Sequence, residues 1–158
     1  MSLRQTATIF VIAVAALYVP SAAHAETDLL LMGKSWHFGH DVPPGQAGYG
    51  VNQYNWGVGL EYRFDGTWWF AGALTYRDTF RQQAYAVYGG YQATIKLSTS
   101  VSAFAAVRAG YLNGSGWHGP GILPSIGLTY SRASLEATYI PPARNGYNCI
   151  AVFGRVSF

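Results

Sequence analysis

The sequence has few charged residues and a single cysteine. Asp, Glu, Lys and Arg make up 11% of it, and its formal net charge is +3. This charge is too small and too scattered to indicate a nucleic-acid-binding surface, so no nucleic-acid partner is expected. The lone Cys149 excludes an intramolecular disulfide. Its place in an alternating strand favours a small packing residue over a reactive thiol.

Long apolar runs are absent beyond the N-terminus. Residues 1–25 combine Arg4, an apolar run from Ala7 to Val19 and the small-residue ending Ala23-His24-Ala25. This combination predicts a signal peptide cleaved after Ala25, because the apolar run is too short for a good spanning helix. Residues 26–158 are then expected to form one domain.

Aromatic residues (16%) and glycine (19 residues) are abundant. Apolar residues alternate with polar or small ones, which predicts strands with one lipid-facing and one interior face. The C-terminal strand is the clearest case. Its outward face is Ile150, Val152, Val156 and Phe158, and its inward face is Cys149, Ala151, Arg155 and Ser157. An ending on Phe158 resembles the signal that outer-membrane assembly machinery recognises.

The pattern predicts an all-β fold, an eight-stranded antiparallel transmembrane β-barrel with short periplasmic turns and longer extracellular loops. The predicted strands are Asp28–His37, Tyr54–Phe64, Thr67–Arg77, Tyr85–Lys96, Ser100–Tyr111, Gly121–Tyr130, Ser134–Ile140 and Asn148–Phe158. The short turns are Asp65-Gly66, Leu97–Thr99 and Ser131–Ala133. The long loops are Phe38–Gln53, Asp78–Ala84, Leu112–Pro120 and Pro141–Tyr147.

The interior of so narrow a barrel is filled by side chains or by one slender ligand. Alternation points seven polar residues inward, namely Glu61, Arg63, Gln92, Arg108, Glu136, Arg155 and Ser157. They are expected to pair with one another, Glu136 with Arg155 in particular, because an unpaired buried ion is costly. On the third strand Phe70, Leu74 and Tyr76 are predicted to face outward. Ala71 and Ala73 are then predicted to face inward, leaving room for an acyl chain.

Two prolines lie near the outer ends of the sixth and seventh strands, Pro124 within the sixth and Pro141 directly after the seventh. A turn centred between Arg132 and Ala133 places Pro124 opposite Pro141. Because proline donates no backbone hydrogen bond, strand pairing is weakened there. The two prolines either mark strand ends or form a lateral gate through which a lipid enters the barrel.

Six stretches resemble PagP-type lipid A palmitoyltransferases, which are outer-membrane acyltransferases. They occur in order over most of residues 35–158: Ser35-Trp36-His37, Tyr54-Asn55-Trp56-Gly57-Val58-Gly59-Leu60, Leu74-Thr75-Tyr76-Arg77-Asp78-Thr79-Phe80, Tyr88-Gly89-Gly90-Tyr91, Ile122-Leu123-Pro124-Ser125-Ile126-Gly127 and Thr138-Tyr139-Ile140-Pro141. The resemblance implies transfer of a palmitoyl chain from a glycerophospholipid to a hydroxyacyl chain of lipid A. It implies an integral protein of the bacterial outer membrane, working as a monomer with its active-site mouth at the extracellular side. No cofactor and no metal are expected.

The family's essential His, Asp and Ser correspond by resemblance to His37, Asp78 and Thr79. His37 is the expected base, Asp78 its orienting group, and Thr79 a hydroxyl for the carbonyl or a nucleophile. Thr79 departs from the family's serine, so Ser35, two residues from His37, is a substitute hydroxyl. Two further family features are missing: an amphipathic helix ahead of the first strand, and a proline within it.

The remaining implied sites line the acyl pocket and the outer rim. By position Gly90 corresponds to the glycine that sets chain length at the pocket floor in the family. Arg77, Arg81 and Arg144 are rim residues that either bind lipid A phosphates or simply contact lipopolysaccharide. Two other functions remain open: a lipid A esterase or deacylase using Ser35 and His37 with water, and a non-catalytic structural or surface-binding barrel.

Overall fold

The computed structural model describes residues 26–38, 51–142 and 148–158. Eight antiparallel strands form a closed barrel in which each strand pairs with the next and the first pairs with the last. The strands are β1 (Glu26–Phe38), β2 (Tyr54–Arg63), β3 (Trp69–Arg77), β4 (Gln83–Lys96), β5 (Val101–Gly114), β6 (Trp117–Tyr130), β7 (Ala133–Ile140) and β8 (Asn148–Ser157). The predicted fold class is confirmed. Within the described ranges, no helix has the length and apolar character to cross a membrane.

Four predictions fall outside the described residues. They concern the signal peptide at residues 1–25, most of the first long loop (residues 39–50), most of the fourth long loop (residues 143–147) and the rim residue Arg144 within it.

The outer surface of the barrel is apolar. Exposed aliphatic side chains from all around the barrel form a belt that includes Leu31, Val58, Leu60, Val87, Val107, Ile122, Ile126, Leu128, Leu135 and Ile150. Exposed aromatic residues flank this belt: Tyr62, Trp68, Trp69, Tyr130 and Phe158 at the short-turn rim, and Trp36, Tyr54, Trp56, Tyr85 and Tyr139 at the other. An apolar band between two aromatic girdles is the surface of a β-barrel that sits in a membrane.

The predicted loop Leu112–Pro120 is wrong. β5 and β6 continue through it and pair until Gly114 faces Trp117. Ser115 and Gly116 form the two-residue turn, with φ of 54° and 80°, the left-handed values of a type I′ hairpin. The consequence is a hairpin whose tip reaches the mouth of the barrel.

The predicted facing of β3 is also wrong. Glu61 points inward and is fully buried, and it pairs directly with Gly72. Directly opposed residues of neighbouring strands share a face, so Phe70, Leu74 and Tyr76 point inward with Gly72. Ala71 and Ala73 therefore face the lipid side. Aromatic bulk alone suggested the opposite orientation, but the pairing with β2 decides it.

The inner half next to the short turns is filled by a charge-balanced cluster, here called the lumen plug. It comprises Arg63, Arg108 and Arg155 with Asp28, Glu61 and Glu136, together with Gln92. Arg108 binds both Glu61 (Nη2–Oε2 3.0 Å) and Glu136, and Arg155 Nη1 lies 2.9 Å from Glu61 Oε1. The predicted Glu136–Arg155 contact is present at 3.7 Å. Three positive and three negative groups thus balance one another in the lumen, as expected.

The pairing of β6 with β7 differs from the prediction in register. Tyr130 pairs with Ala133, so the turn is Ser131-Arg132, and the ladder ends at Ser125 opposite Thr138. Extension of this register places Pro124 opposite Tyr139, and Pro141 lies past the end of β7. The two prolines are therefore not opposite each other. The outer ends of β6 and β7 nevertheless lack ladder pairing, which is the weakness that the prolines predicted.

Candidate active site

An apolar hollow of about 90 Å³ occupies the half of the barrel away from the short turns. Its walls come from every strand, with Met32, Leu74, Tyr76, Ala86, Leu112, Leu123, Ile140, Cys149 and Ala151 among them. Its floor is the top of the lumen plug, where the Arg108 guanidinium lies 5.0–5.5 Å from the ring centroids of Phe70, Tyr88 and Phe153. Among the described lining residues, hydroxyl side chains lie at the mouth and the Arg108 guanidinium lies at the floor. Such a shape suits a thin apolar ligand with one polar end.

The mouth brings an imidazole and two hydroxyls into one hydrogen-bonded chain. His37 Nε2 lies 2.9 Å from Thr79 Oγ1, and Thr79 Oγ1 lies 3.1 Å from Ser115 Oγ. Thr79 N also donates to Ser115 Oγ at 3.3 Å. Thr79 is buried and His37 half-buried, so neither points out at the membrane. A base in contact with a hydroxyl is the arrangement that activates an oxygen for acyl transfer.

Asp78 holds in place the turn that carries Thr79, the middle residue of this hydrogen-bonded series. Its Oδ1 accepts hydrogen bonds from the backbone amides of Phe80 and Gln82, both at 2.8 Å, and its Oδ2 accepts one from the amide of Ser115. Asp78 itself is 2% exposed. Its carboxylate therefore fixes the turn carrying Thr79 and clamps it to the β5–β6 hairpin. The expected direct contact between Asp78 and the imidazole is replaced by this indirect support.

The segment before β2 ties β1 to the Thr79 turn. Ser35 N donates to Gln53 O at 2.8 Å, while Asn52 N donates to Thr79 O at 2.8 Å and Asn52 Nδ2 to Asp78 O at 3.0 Å. These bonds hold the strand bearing His37 against the turn bearing Thr79. The contact between the two side chains is thus built on backbone geometry.

Ser35 lies just inside the mouth and faces the hollow, on the same side of β1 as His37. It is 2% exposed, and its Oγ has no nitrogen or oxygen partner in the part of the chain that the structure describes. Cys149 is its neighbour and is paired with His37 across the β1–β8 ladder. Ser35 is therefore not hydrogen-bonded to the imidazole, and Thr79 occupies the position next to Nε2.

Gly90 faces the interior but does not line the hollow. A Cβ at this position would lie 2.2 Å from Phe70 Cζ, so the Phe70 ring covers the glycine. The inward facing of β3, which the sequence pattern missed, is the reason. In this chain the floor of the hollow is made by Arg108, Tyr88 and Phe153.

The remaining predicted site residues among those that the structure describes lie on the outside of the barrel. Pro124 and Pro141 are exposed, and Thr138 Oγ1 donates to Pro124 O at 3.0 Å beside the last β6–β7 pair. Arg77 and Arg81 are exposed at the same end as His37. Ser115 is the residue that the sequence interpretation missed. The turn signal Asn113-Gly114-Ser115-Gly116 was present in the sequence, but only the strand register places its tip on Thr79.

The fold and the site define a class, the eight-stranded outer-membrane barrels whose lumen holds an apolar hollow under a polar mouth. The family model described as "Antimicrobial peptide resistance and lipid A acylation protein PagP" matches residues 17–155. The chain belongs to the PagP family.

Individual relatives agree with this assignment. A protein named lipid A acyltransferase PagP from Bordetella pertussis (strain Tohama I) is 31% identical over 140 residues, covering 83% of this chain and 75% of the relative. A protein of the same name from Legionella pneumophila is 30% identical over 139 residues, covering 82% of this chain and 73% of the relative.

Among solved structures, the attachment invasion locus protein Ail of Yersinia pestis matches with a TM-score of 0.45 and 15% identity, covering 87% of this chain and 100% of Ail.

Proposed function

We propose that this protein is an outer-membrane acyltransferase that moves a palmitoyl-type chain from a glycerophospholipid to a hydroxyacyl chain of lipid A. The observation that carries the proposal is the 2.9 Å contact between His37 Nε2 and Thr79 Oγ1 at the mouth of an apolar hollow. Family membership supplies the substrate class, because relatives carry the name lipid A acyltransferase.

The residues at the mouth suit ester-to-ester transfer. The acceptor hydroxyl attacks the donor ester carbonyl as His37 Nε2 takes its proton, and a tetrahedral oxyanion forms. Collapse of this intermediate breaks the bond to the lysophospholipid oxygen, which takes the proton back from His37. Thr79 has two alternative roles. Its O–H turns from Nε2 to the oxyanion when Nε2 takes the acceptor's proton, or Thr79 attacks first: His37 takes its proton and returns it to the departing lysophospholipid, and the acceptor hydroxyl then displaces the acyl group from the acyl-threonine. Asp78 acts by holding the Thr79 turn in place.

The donor chain is proposed to occupy the hollow and to enter it sideways. The missing ladder beyond Ser125 and Thr138 leaves a gap between β6 and β7 at the level of the hollow. Pro124 and Pro141 flank this gap and cannot donate hydrogen bonds that would close it. A lipid entering there does not cross water.

Several further features are proposed with it. The mouth faces the extracellular side, where Arg77, Arg81 and Arg144 meet lipid A phosphates through charge-assisted hydrogen bonds. Phe158, exposed at the end of the chain, is the element that the assembly machinery recognises. The protein is proposed to work as a monomer, and its closed barrel leaves no sheet edge for a strand-pairing partner. Residues 1–25 are a cleaved signal peptide.

The test is product analysis with purified protein, labelled phospholipid and lipid A. Transfer gives a heavier lipid A and a lysophospholipid, whereas a deacylase gives a lighter lipid A and a non-catalytic barrel gives no change. H37A is expected to abolish transfer while the folded barrel keeps its heat-modifiable mobility on gels. H118A is the matched control, because His118 is exposed and away from the hollow. Transfer that survives in H37A contradicts the assignment of the base.

A further inference from the structure

The tip of the β5–β6 hairpin carries a serine in an unusual backbone conformation. Ser115 has φ of 54°, a left-handed value that favours glycine or asparagine. Its amide donates to Asp78 Oδ2, and its hydroxyl lies against Thr79. The hairpin therefore delivers a second hydrogen-bonding group to the Thr79 hydroxyl, in addition to His37.

The hydrogen bonds around Ser115 run in one direction when His37 Nε2 is unprotonated. Thr79 N–H donates to Ser115 Oγ, which uses one lone pair of that oxygen. The Ser115 O–H is then free to donate to Thr79 Oγ1, which leaves the Thr79 O–H to donate to His37 Nε2. In this arrangement each hydroxyl donates once, and the unprotonated Nε2 accepts. Hydrogen bonds in such a chain polarise and strengthen one another.

We propose that Ser115 is a positioning residue for acyl transfer: its hydroxyl aims the Thr79 hydroxyl at His37. The proposal rests on the proposed function. It also accounts for how a threonine serves where the family has a serine. The β-branched side chain has restricted χ1, and the bond from Ser115 selects the rotamer in which Oγ1 faces the imidazole.

The experiment removes the hydroxyl in two ways. S115G keeps the backbone amide for Asp78 and relaxes the left-handed turn, whereas S115A keeps Cβ and the backbone strain. S131G is the matched control, because Ser131 also has a left-handed backbone (φ 53°) but lies in the turn at the other end of the barrel. Initial rates of transfer are measured against phospholipid concentration, and thermal unfolding of each variant is followed by heat-modifiable mobility.

Both Ser115 variants are expected to lose roughly fivefold to tenfold in kcat, the value of one hydrogen bond, with KM for the phospholipid within about twofold. S115G is expected to unfold at the wild-type temperature or above it, and S131G to keep wild-type kcat. The proposal is overturned if S115G keeps wild-type kcat, if the loss appears in KM, or if kcat follows stability instead of the hydroxyl. An inactive wild-type protein refutes the proposed function itself.

Discussion

A larger side chain on the wall of the hollow, between its mouth and its floor, should shorten the acyl chain that the protein transfers. Ala151 is the position to change, because it faces the hollow on β8 two residues nearer the mouth than Phe153. Ala151→Leu adds three carbon atoms to a hollow of about 90 Å³. The added side chain should close the hollow at that level.

The expected shift follows from strand geometry. From Ser115 at the mouth to Arg108 at the floor, β5 advances about 23 Å at about 3.3 Å per residue. A strand tilt of about 35–45° reduces this to about 16–19 Å along the barrel axis. An extended chain advances about 1.3 Å per C–C bond, so the distance from mouth to floor corresponds to about 13 to 15 bonds. Two residues of β8 correspond to about 5 Å along the axis, or about four bonds.

The assay offers a mixture of phospholipids with acyl chains of different lengths and determines the mass of the modified lipid A. The wild-type protein is expected to prefer chains near palmitoyl, and A151L chains shorter by about four carbons. A105L is the matched control, because Ala105 lies on the outward face of β5 and is exposed. A151L with unchanged chain preference, or A105L with the same shift, would refute the placement of the chain in the hollow.

Three further changes test the lumen plug, the gap and the reacting hydroxyl. Arg108→Met removes the cation that binds the buried carboxylates of Glu61 and Glu136. The free energy of unfolding, measured by urea titration in vesicles, should fall by about 3–5 kcal/mol. A fall of less than about 1 kcal/mol would contradict this. P124C combined with Y139C should form a disulfide across the gap that stops transfer until reductant is added, while P124C alone stays active. Thr79→Val keeps the shape of the side chain but removes its hydroxyl, so the initial rate of transfer should fall roughly 10²- to 10³-fold. A smaller fall would indicate that the Thr79 hydroxyl takes no part in the reaction.

Local alternation was enough to predict most of the barrel. Glu61 and Arg155 were placed correctly in the lumen, because the period of two along a strand is a property of the strand alone. The outward face of β8 was predicted for the same reason. The identity of His37, Asp78 and Thr79 as a site came from the resemblance to a family, since no spacing in the sequence connects His37 with residues 41 and 42 positions away.

The incorrect predictions all depend on the register between neighbouring strands. The facing of Phe70 depends on its register with β2, and the displacement of Pro124 from Pro141 depends on a turn set at Ser131-Arg132 instead of one residue later. Ser115 was missed because the length of the β5–β6 hairpin is decided by pairing. Composition and local spacing do not fix these registers. The residues that meet at the mouth of the hollow are decided by strand pairing.

Ser35 separates the two enzymatic hypotheses. A deacylase that uses Ser35 as nucleophile loses all activity in S35A. In the proposed transferase the Ser35 hydroxyl makes no bond to His37, and it is buried without a nitrogen or oxygen partner among the described residues. The Cys149 thiol is only a weak hydrogen-bond partner for Ser35. S35A should therefore change the free energy of unfolding by less than about 1 kcal/mol and should retain transfer within about threefold. Loss of transfer in a stable S35A protein would indicate that Ser35, and not Thr79, supplies the reacting hydroxyl.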